Sequence, residues 1–191
     1  MKGDHPARGI IHYHIAGVLK KHGIRSVVDV GGNGSLNAFM PGIKVTNANI
    51  KNGIDGTNLP YADNSFDAAV SVAVLEHVKG MHKFLSESVR VARKLVVHWF
   101  PYGKDAEIVE LFKLKIKHNH YCVVPKSDCV KFLKGIVKNV EVYPYTTIAE
   151  HLLLLAAQRR NLSRAKLYKY INKIMVQEPQ PQYAYVLKGQ I

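Results

Sequence analysis

At 191 residues, with 47% hydrophobic and 21% charged side chains, the chain has the size and make-up of one compact globular domain. Two cysteines, Cys122 and Cys129, do not indicate a disulfide scaffold, and the longest apolar run, Leu152 to Ala157, is far short of a membrane span. A formal charge of +13 favours anionic surroundings, without choosing among nucleic acid, an acidic membrane surface and a negatively charged substrate. The opening Met1-Lys2-Gly3-Asp4-His5-Pro6 lacks the apolar segment of a secretory signal, so a reducing cytoplasm is the expected setting.

Arg8 to His22 places Ile11, Ile15, Val18 and Leu19 at helical spacing, and Gly23 ends the pattern. Ser26 to Val30 is a short β-branched run that reads as a buried strand. Glycines 31, 32 and 34 then turn the chain toward a short helix near Leu36 to Phe39, before a second strand over Ile43 to Ala48. The turn Ala62-Asp63-Asn64-Ser65 introduces a third strand, Phe66 to Val72. An amphipathic helix follows over Met81 to Arg93, with Phe84, Leu85, Val89 and Ala92 inward, and then a strand over Leu95 to Phe100.

Asp105 to Lys117 and Ser127 to Leu133 read as helices, and Val140 to Tyr145 and Tyr183 to Leu187 as strands. Between those last strands the pattern is helical at Ile148 to Arg160 and Arg164 to Met175. Strands alternating with helices predict an α/β fold: a Rossmann-like three-layer sandwich with a mainly parallel sheet and an antiparallel edge strand. One domain over residues 1–191 is expected, with a helical insert at about 147–176. Ligands in such sheets bind beyond the carboxyl ends of the strands, here after Val30, Ala48, Val72 and Phe100.

The first strand runs into Asp29-Val30-Gly31-Gly32-Asn33-Gly34. Glycines let backbone approach a ligand and permit positive φ, which Asn33 also tolerates. The dinucleotide fingerprint fails, because Asn37 stands where its third small residue belongs, and dehydrogenase chemistry is set aside. The acid Asp29 would repel a pyrophosphate but suits a ligand bearing an ammonium group.

This combination resembles motif I of the class I S-adenosylmethionine methyltransferases, with the glycines offset by one place. The resemblance continues through Asp55-Gly56-Thr57-Asn58-Leu59-Pro60-Tyr61-Ala62-Asp63-Asn64-Ser65-Phe66-Asp67. It ends in Val72-Ala73-Val74-Leu75-Glu76-His77-Val78 and Arg90-Val91-Ala92, a pattern similar to the type 11 subgroup. It runs from about Val27 to Pro101. The resemblance implies S-adenosylmethionine as cofactor, leaving as S-adenosylhomocysteine. Asp29, Gly31, Gly32, Asn33 and Gly34 would hold its methionine end. Asn49 and Ile50 would stand at the second strand's end, where the family has an acid on the ribose hydroxyls. Asp55 would accept from the adenine amino group, with Gly56 backing the ring, and Val72 and Ala73 would lie near the methyl group. Ala48 to Phe66 is too short for the family's usual strand-helix-strand excursion, so a reduced segment is expected there.

Methyl transfer demands alignment and a nucleophile in the right protonation state. His77 is the first choice as general base and His98 the second, with Tyr102 nearby in sequence; an ordinary buried histidine is the competing reading for each. Asp63, Asn64 and Ser65 read as turn residues, Asp67 as a stabiliser of the turn before its strand, and Glu76 equally as a structural ion-pair partner. His118-x-His120-x-Cys122 lacks a second ligand pair, so no metal is expected. Arg159, Arg160, Arg164, Lys166, Lys169 and Lys173, interleaved with Tyr168 and Tyr170, read as a solvated basic face or as an RNA-tracking one. The expected function is methyl transfer to an unidentified acceptor, a small molecule and conceivably an anionic one. Alternatives are a non-catalytic cofactor-binding protein on the same fold and an RNA methyltransferase. The oligomeric state is not legible.

Overall fold

The computed structural model describes residues 6–101, 126–145 and 183–188. Helix α1 (Pro6–Lys21) comes first, then strands β1 (Ser26–Val30), β2 (Lys44–Ala48) and β3 (Phe66–Val72). Helix α2 (Met81–Val91) leads into β4 (Ala92–Pro101), and α3 (Lys126–Lys134) precedes β5 (Val140–Tyr145) and β6 (Tyr183–Lys188). The sheet order is β2-β1-β3-β4-β6-β5. Strands β1 to β4 are mutually parallel, and β6 runs antiparallel to both its neighbours. The expected antiparallel strand therefore exists, but it lies one place in from the edge. The edge itself is β5, which fits because hairpin-like pairing on both sides of β6 satisfies its backbone groups.

Alternation along the strands sends side chains to two separate cores. On one face Val27, Ala68, Val70, Leu95 and Val97 pack under Ile11, Ile15 and Leu19 of α1 and under Leu36 and Met40. These are the α1 positions that the helical spacing singles out, with Val18 packed against their edge. On the other face Val28, Val30, Ala69, Val96 and Phe100 meet Phe84, Leu85 and Val91 of α2 and Cys129 and Leu133 of α3. Helices on both faces of a mainly parallel sheet make the predicted three-layer sandwich. Two connections are short. A 3-10 turn, Ser35–Phe39, stands between β1 and β2, and another, Ile50–Asn52, between β2 and β3. The reduction expected after the second strand is thus present.

The start of the sheet is tied together by Asp67, buried at 1% exposure. Its Oδ2 accepts from the backbone N–H groups of Arg25 and Ser26 at 2.8 and 3.1 Å, and its Oδ1 from Arg93 at 2.8 Å, with Lys94 at 3.3 Å. Burial alone would raise this carboxyl's pKa, but those donors outweigh it and hold the group well below the usual carboxylate range. The sequence reading of Asp67 as a turn stabiliser understates its reach, since one carboxylate joins the entries of β1, β3 and β4.

The predicted helices over 105–117, 148–160 and 164–175, the insert at about 147–176, and the 118–122 and 159–173 clusters lie outside the described residues. Among the described residues no helix is long and apolar enough to cross a membrane, and no cluster of metal-ligating side chains occurs.

Asp67→Ala should lower stability by about 2–3 kcal/mol, because buried N–H groups lose a charged acceptor. The loss should appear as a lower urea midpoint at unchanged slope. The depressed pKa contributes stability present above about pH 4 and lost as pH falls through the folded value. The gap between wild type and variant should therefore close in acid.

Candidate cofactor site at the strand-order switch

The chain passes from β1 outward to β2, then returns to the other side of β1 for β3. That reversal makes the carboxyl ends of β1 and β3 the strand-order switch, the place where α/β sheets bind ligands in a crevice. Gly31 and Gly34 leave β1 with φ of +82° and +90°. A Cβ on Gly31 would stand 2.5 Å from Val74 of the segment after β3, so the two strand ends touch only because this residue is glycine. A Cβ on Gly32 would fall on the carboxylate of Asp29. That acid is 3% exposed, and burial pushes its pKa up to about 7.

The turn is held from the β2 side as well. Gly31 N–H donates to the Ala48 carbonyl at 2.6 Å, and Asn49 Nδ2 donates to the Gly32 carbonyl at 2.6 Å. Asn49 Oδ1 accepts from the N–H groups of Lys51 and Asn52 at 2.9 and 3.2 Å. A carboxylate here could not donate to Gly32, which gives the amide a physical reason. Its oxygen is committed to two local donors, so toward a ribose the side chain offers its remaining N–H and not an acceptor. Asn33 Oδ1 accepts from Ser35 N–H at 3.1 Å and so shapes the glycine turn.

Ile50 follows, 75% exposed, an isolated large apolar side chain at the end of β2 and suited to lie against a flat ring. Asp55 is exposed, and its Oδ1 accepts from Thr57 N–H at 2.8 Å, which lowers its pKa. Gly56 packs where a Cβ would meet Phe84 at 2.5 Å and Val30 at 2.9 Å, fixing the 55–57 turn against the end of β1. After β3, half-buried Val72 leads to Ala73 at φ +53°, a left-handed conformation costly for a residue with a Cβ, whose N–H donates to the Trp99 carbonyl at 2.9 Å.

His77 lies half-buried in the 3-10 turn Leu75–His77, directly beyond β3, with Nε2 3.9 Å from Glu76 Oε1. His98, the second base candidate, lies within β4. It is fully buried on the α2 face of β4, its Nδ1 lies 2.8 Å from Ser71 Oγ, and its ring meets Phe84 edge-on. Burial pushes its pKa down to about 3, so at neutral pH it takes up no proton. This burial matches the competing reading of His98 as a buried histidine. Tyr102 lies outside the described residues.

Sequence reading missed how the 59–65 loop is anchored. Arg90 donates to the carbonyls of Tyr61 and Leu59 at 2.7 and 2.9 Å and to Asp63 and Glu87 at 2.8 Å. Glu87 in turn accepts from Leu59 N–H at 2.8 Å. The i, i+3 spacing of Glu87 and Arg90 was a visible signal for a helix pair, but its grip on the loop was not.

This architecture is an open, mainly parallel sheet of the Rossmann-like kind. The methyltransferase-domain family model matches residues 41–100, a segment that runs from just before β2 nearly to the end of β4. The norajmaline N-methyltransferase of Rauvolfia serpentina is 45% identical over 38 residues, 20% of this chain and 13% of that protein's length. A S-adenosylmethionine-dependent methyltransferase from Archaeoglobus fulgidus superposes with a TM-score of 0.58 at 15% identity, over 93% of each chain. Phosphoethanolamine N-methyltransferase 2 of Haemonchus contortus, solved with phosphomonomethylethanolamine and S-adenosylhomocysteine, gives a TM-score of 0.62 at 16% identity, over 96% of this chain and 57% of that one. The family match covers about a third of the chain, and the solved structures share its fold.

Gly32→Ala should destabilise the protein by about 2–3 kcal/mol, because the new methyl cannot coexist with the buried Asp29 carboxylate. Thermal melting checks this, and Gly17→Ala on α1, where an added Cβ meets nothing within 4 Å, should cost nothing.

Proposed function

We propose that the chain transfers a methyl group from S-adenosylmethionine to a small-molecule acceptor. The observation that carries this reading is the glycine turn closed over a buried carboxylate at the strand-order switch. The residues present fit the cofactor. Gly31 and Gly34 present bare backbone in conformations that other residues avoid, and Asp29 places latent negative charge beneath the turn. Asn49 fits as a donor only, and exposed Ile50 and Asp55 offer an apolar face and an acceptor for a purine. Bound there, the cofactor supplies a methyl group already activated on a sulfonium sulfur.

The protein's own contribution is alignment and proton control. Gly31 to Gly34 and Asp29 hold the ammonium end. Ala73, pinned to Trp99, fixes the backbone next to the reacting centre. His77, half-buried just past β3, is the group placed to accept a proton from an oxygen or nitrogen acceptor. Two of the similar proteins are named as norajmaline and phosphoethanolamine N-methyltransferases, which supports a small acceptor here.

The Asp29 pKa gives this reading a signature. A carboxyl at about 7 when folded and about 4 when unfolded keeps a proton that the unfolded chain has lost. Stability therefore falls as pH rises from about 4 to about 7, by about 4 kcal/mol, and is flat above. A cation placed beside Asp29 favours its ionised form. Binding of S-adenosylhomocysteine should then release a proton below pH 7, and affinity should rise with pH and level off above it. Calorimetry in buffers of different ionisation enthalpy reads that proton directly. Asp29→Asn should flatten the pH profile and weaken binding by about 1–2 kcal/mol, while making the free protein more stable at pH 8. An unchanged profile would remove Asp29 from the site.

Two further variants separate the parts of the site. Asp55→Ala should weaken cofactor binding, whereas His77→Ala should leave binding intact and slow transfer to an amine or phenol acceptor by about 10²-fold. No binding of S-adenosylmethionine or S-adenosylhomocysteine by folded protein would favour a non-catalytic role on the same fold.

A further inference from the structure

The four parallel strands begin at one rim, opposite the proposed cofactor crevice. Register puts Lys44 of β2 level with Ser26 of β1, beside Arg25, and Phe66 of β3 level with Ala92 of β4, next to Arg93 and Lys94. Val140 of β5 pairs with Lys188, the last residue of β6, so Lys138 just before β5 reaches the same rim. Helix α1 runs down to it and ends in Lys20 and Lys21. Lys20, Lys21, Arg25, Lys44 and Lys138 are exposed.

Ordinary explanations absorb only part of this charge. Lys20 and Lys21 complement the C-terminal end of the α1 dipole. Arg93 and Lys94 share a single acid, Asp67, and each is still about half exposed. Arg25, Lys44 and Lys138 belong to no helix end, and no salt bridge engages them among the described residues. Strands about 4.8 Å apart make the row from β2 to β5 roughly 24 Å long. Its basic residues come from the entries of β2, β1, β4 and β5, with Asp63 and Asp67 at the β3 entry between them, so the charge forms an interrupted row.

We propose that this rim binds the sugar-phosphate backbone of a nucleic acid. A row of cations along a sheet rim fits a chain of phosphates, and sheet twist curves the row out of a plane. A lipid-docking face adds apolar groups that enter the bilayer. Among the described residues the exposed large apolar side chains are Tyr13, Ile50 and Ile136, of which only Ile136, between α3 and β5, is near this rim. The surface is separate from the methyl-transfer site and does not depend on that assignment. It anchors the protein to a polyanion and leaves the crevice facing away.

The test uses the full chain and a fluorescein-labelled 20-nucleotide poly-U RNA, read by anisotropy across a salt series. Lys20→Glu/Lys44→Glu/Lys138→Glu is compared with Lys51→Glu/Lys79→Glu/Lys83→Glu, an equal charge change at the opposite rim. The rim variant should lose about tenfold or more in affinity and reduce the salt slope by about 2, at about 0.7 per phosphate contact, while the control loses far less. Equal losses in the two variants would overturn the proposal in favour of net charge alone. No binding of wild type at 50 mM salt would overturn it, and so would retention on phosphatidylserine vesicles with none on RNA. If the triple variant does not fold, Lys44→Gln and Lys138→Gln singly should each still reduce the slope, and unchanged slopes would overturn it.

Discussion

Everything at the candidate site depends on one steric fact: the Asp29 carboxylate occupies the space that a side chain on Gly32 would need. β1 lies between β2 and β3, so its exit must pass both neighbours closely. Gly31 clears Val74 on one side, and the Gly32 carbonyl takes the Asn49 amide on the other. A buried acid in that place is expensive, as its raised pKa shows, and a packed core without a ligand partner gives no return for it. Costs of that kind concentrate where chemistry is done.

The same economy of parts governs the shortened half of the fold. Residues 49–65 carry no helix longer than the 3-10 turn Ile50–Asn52, yet the segment is well determined. Asn49 closes its start, Gly56 seats it on Phe84 and Val30, and Arg90 with Glu87 clamps its end. Polar contacts to backbone thus complement the packing of Leu59, Ile54 and Tyr61 on the core, because a loop must have its N–H and C=O groups satisfied one by one.

The two rims of the sheet divide the labour. At the carboxyl ends, latent negative charge and bare backbone face the crevice. At the amino ends, Asp67 gathers the strand entries and is itself outnumbered by surrounding cations. Parallel strands make this separation automatic, since every strand begins at one edge and ends at the other.

Among the described residues the sequence by itself determined the order of elements, the layers and the glycine turn, although Arg93, expected at the end of α2, lies in β4. Periodicity fixes α1 and its inward residues, β-branched runs fix the strands, and Gly31, Gly32 and Gly34 after Asp29 announce a ligand-facing exit. These are local properties, carried by neighbours along the chain. Only the tertiary structure decided the rest. It moved the antiparallel strand to the place beside the edge, because pairing partners are chosen across the chain and not along it. It set the Asn49 amide against the Gly32 carbonyl, and it buried His98 against Ser71 and Phe84. A side chain's type is written in the sequence, whereas its protonation and its partners are set by what folds around it.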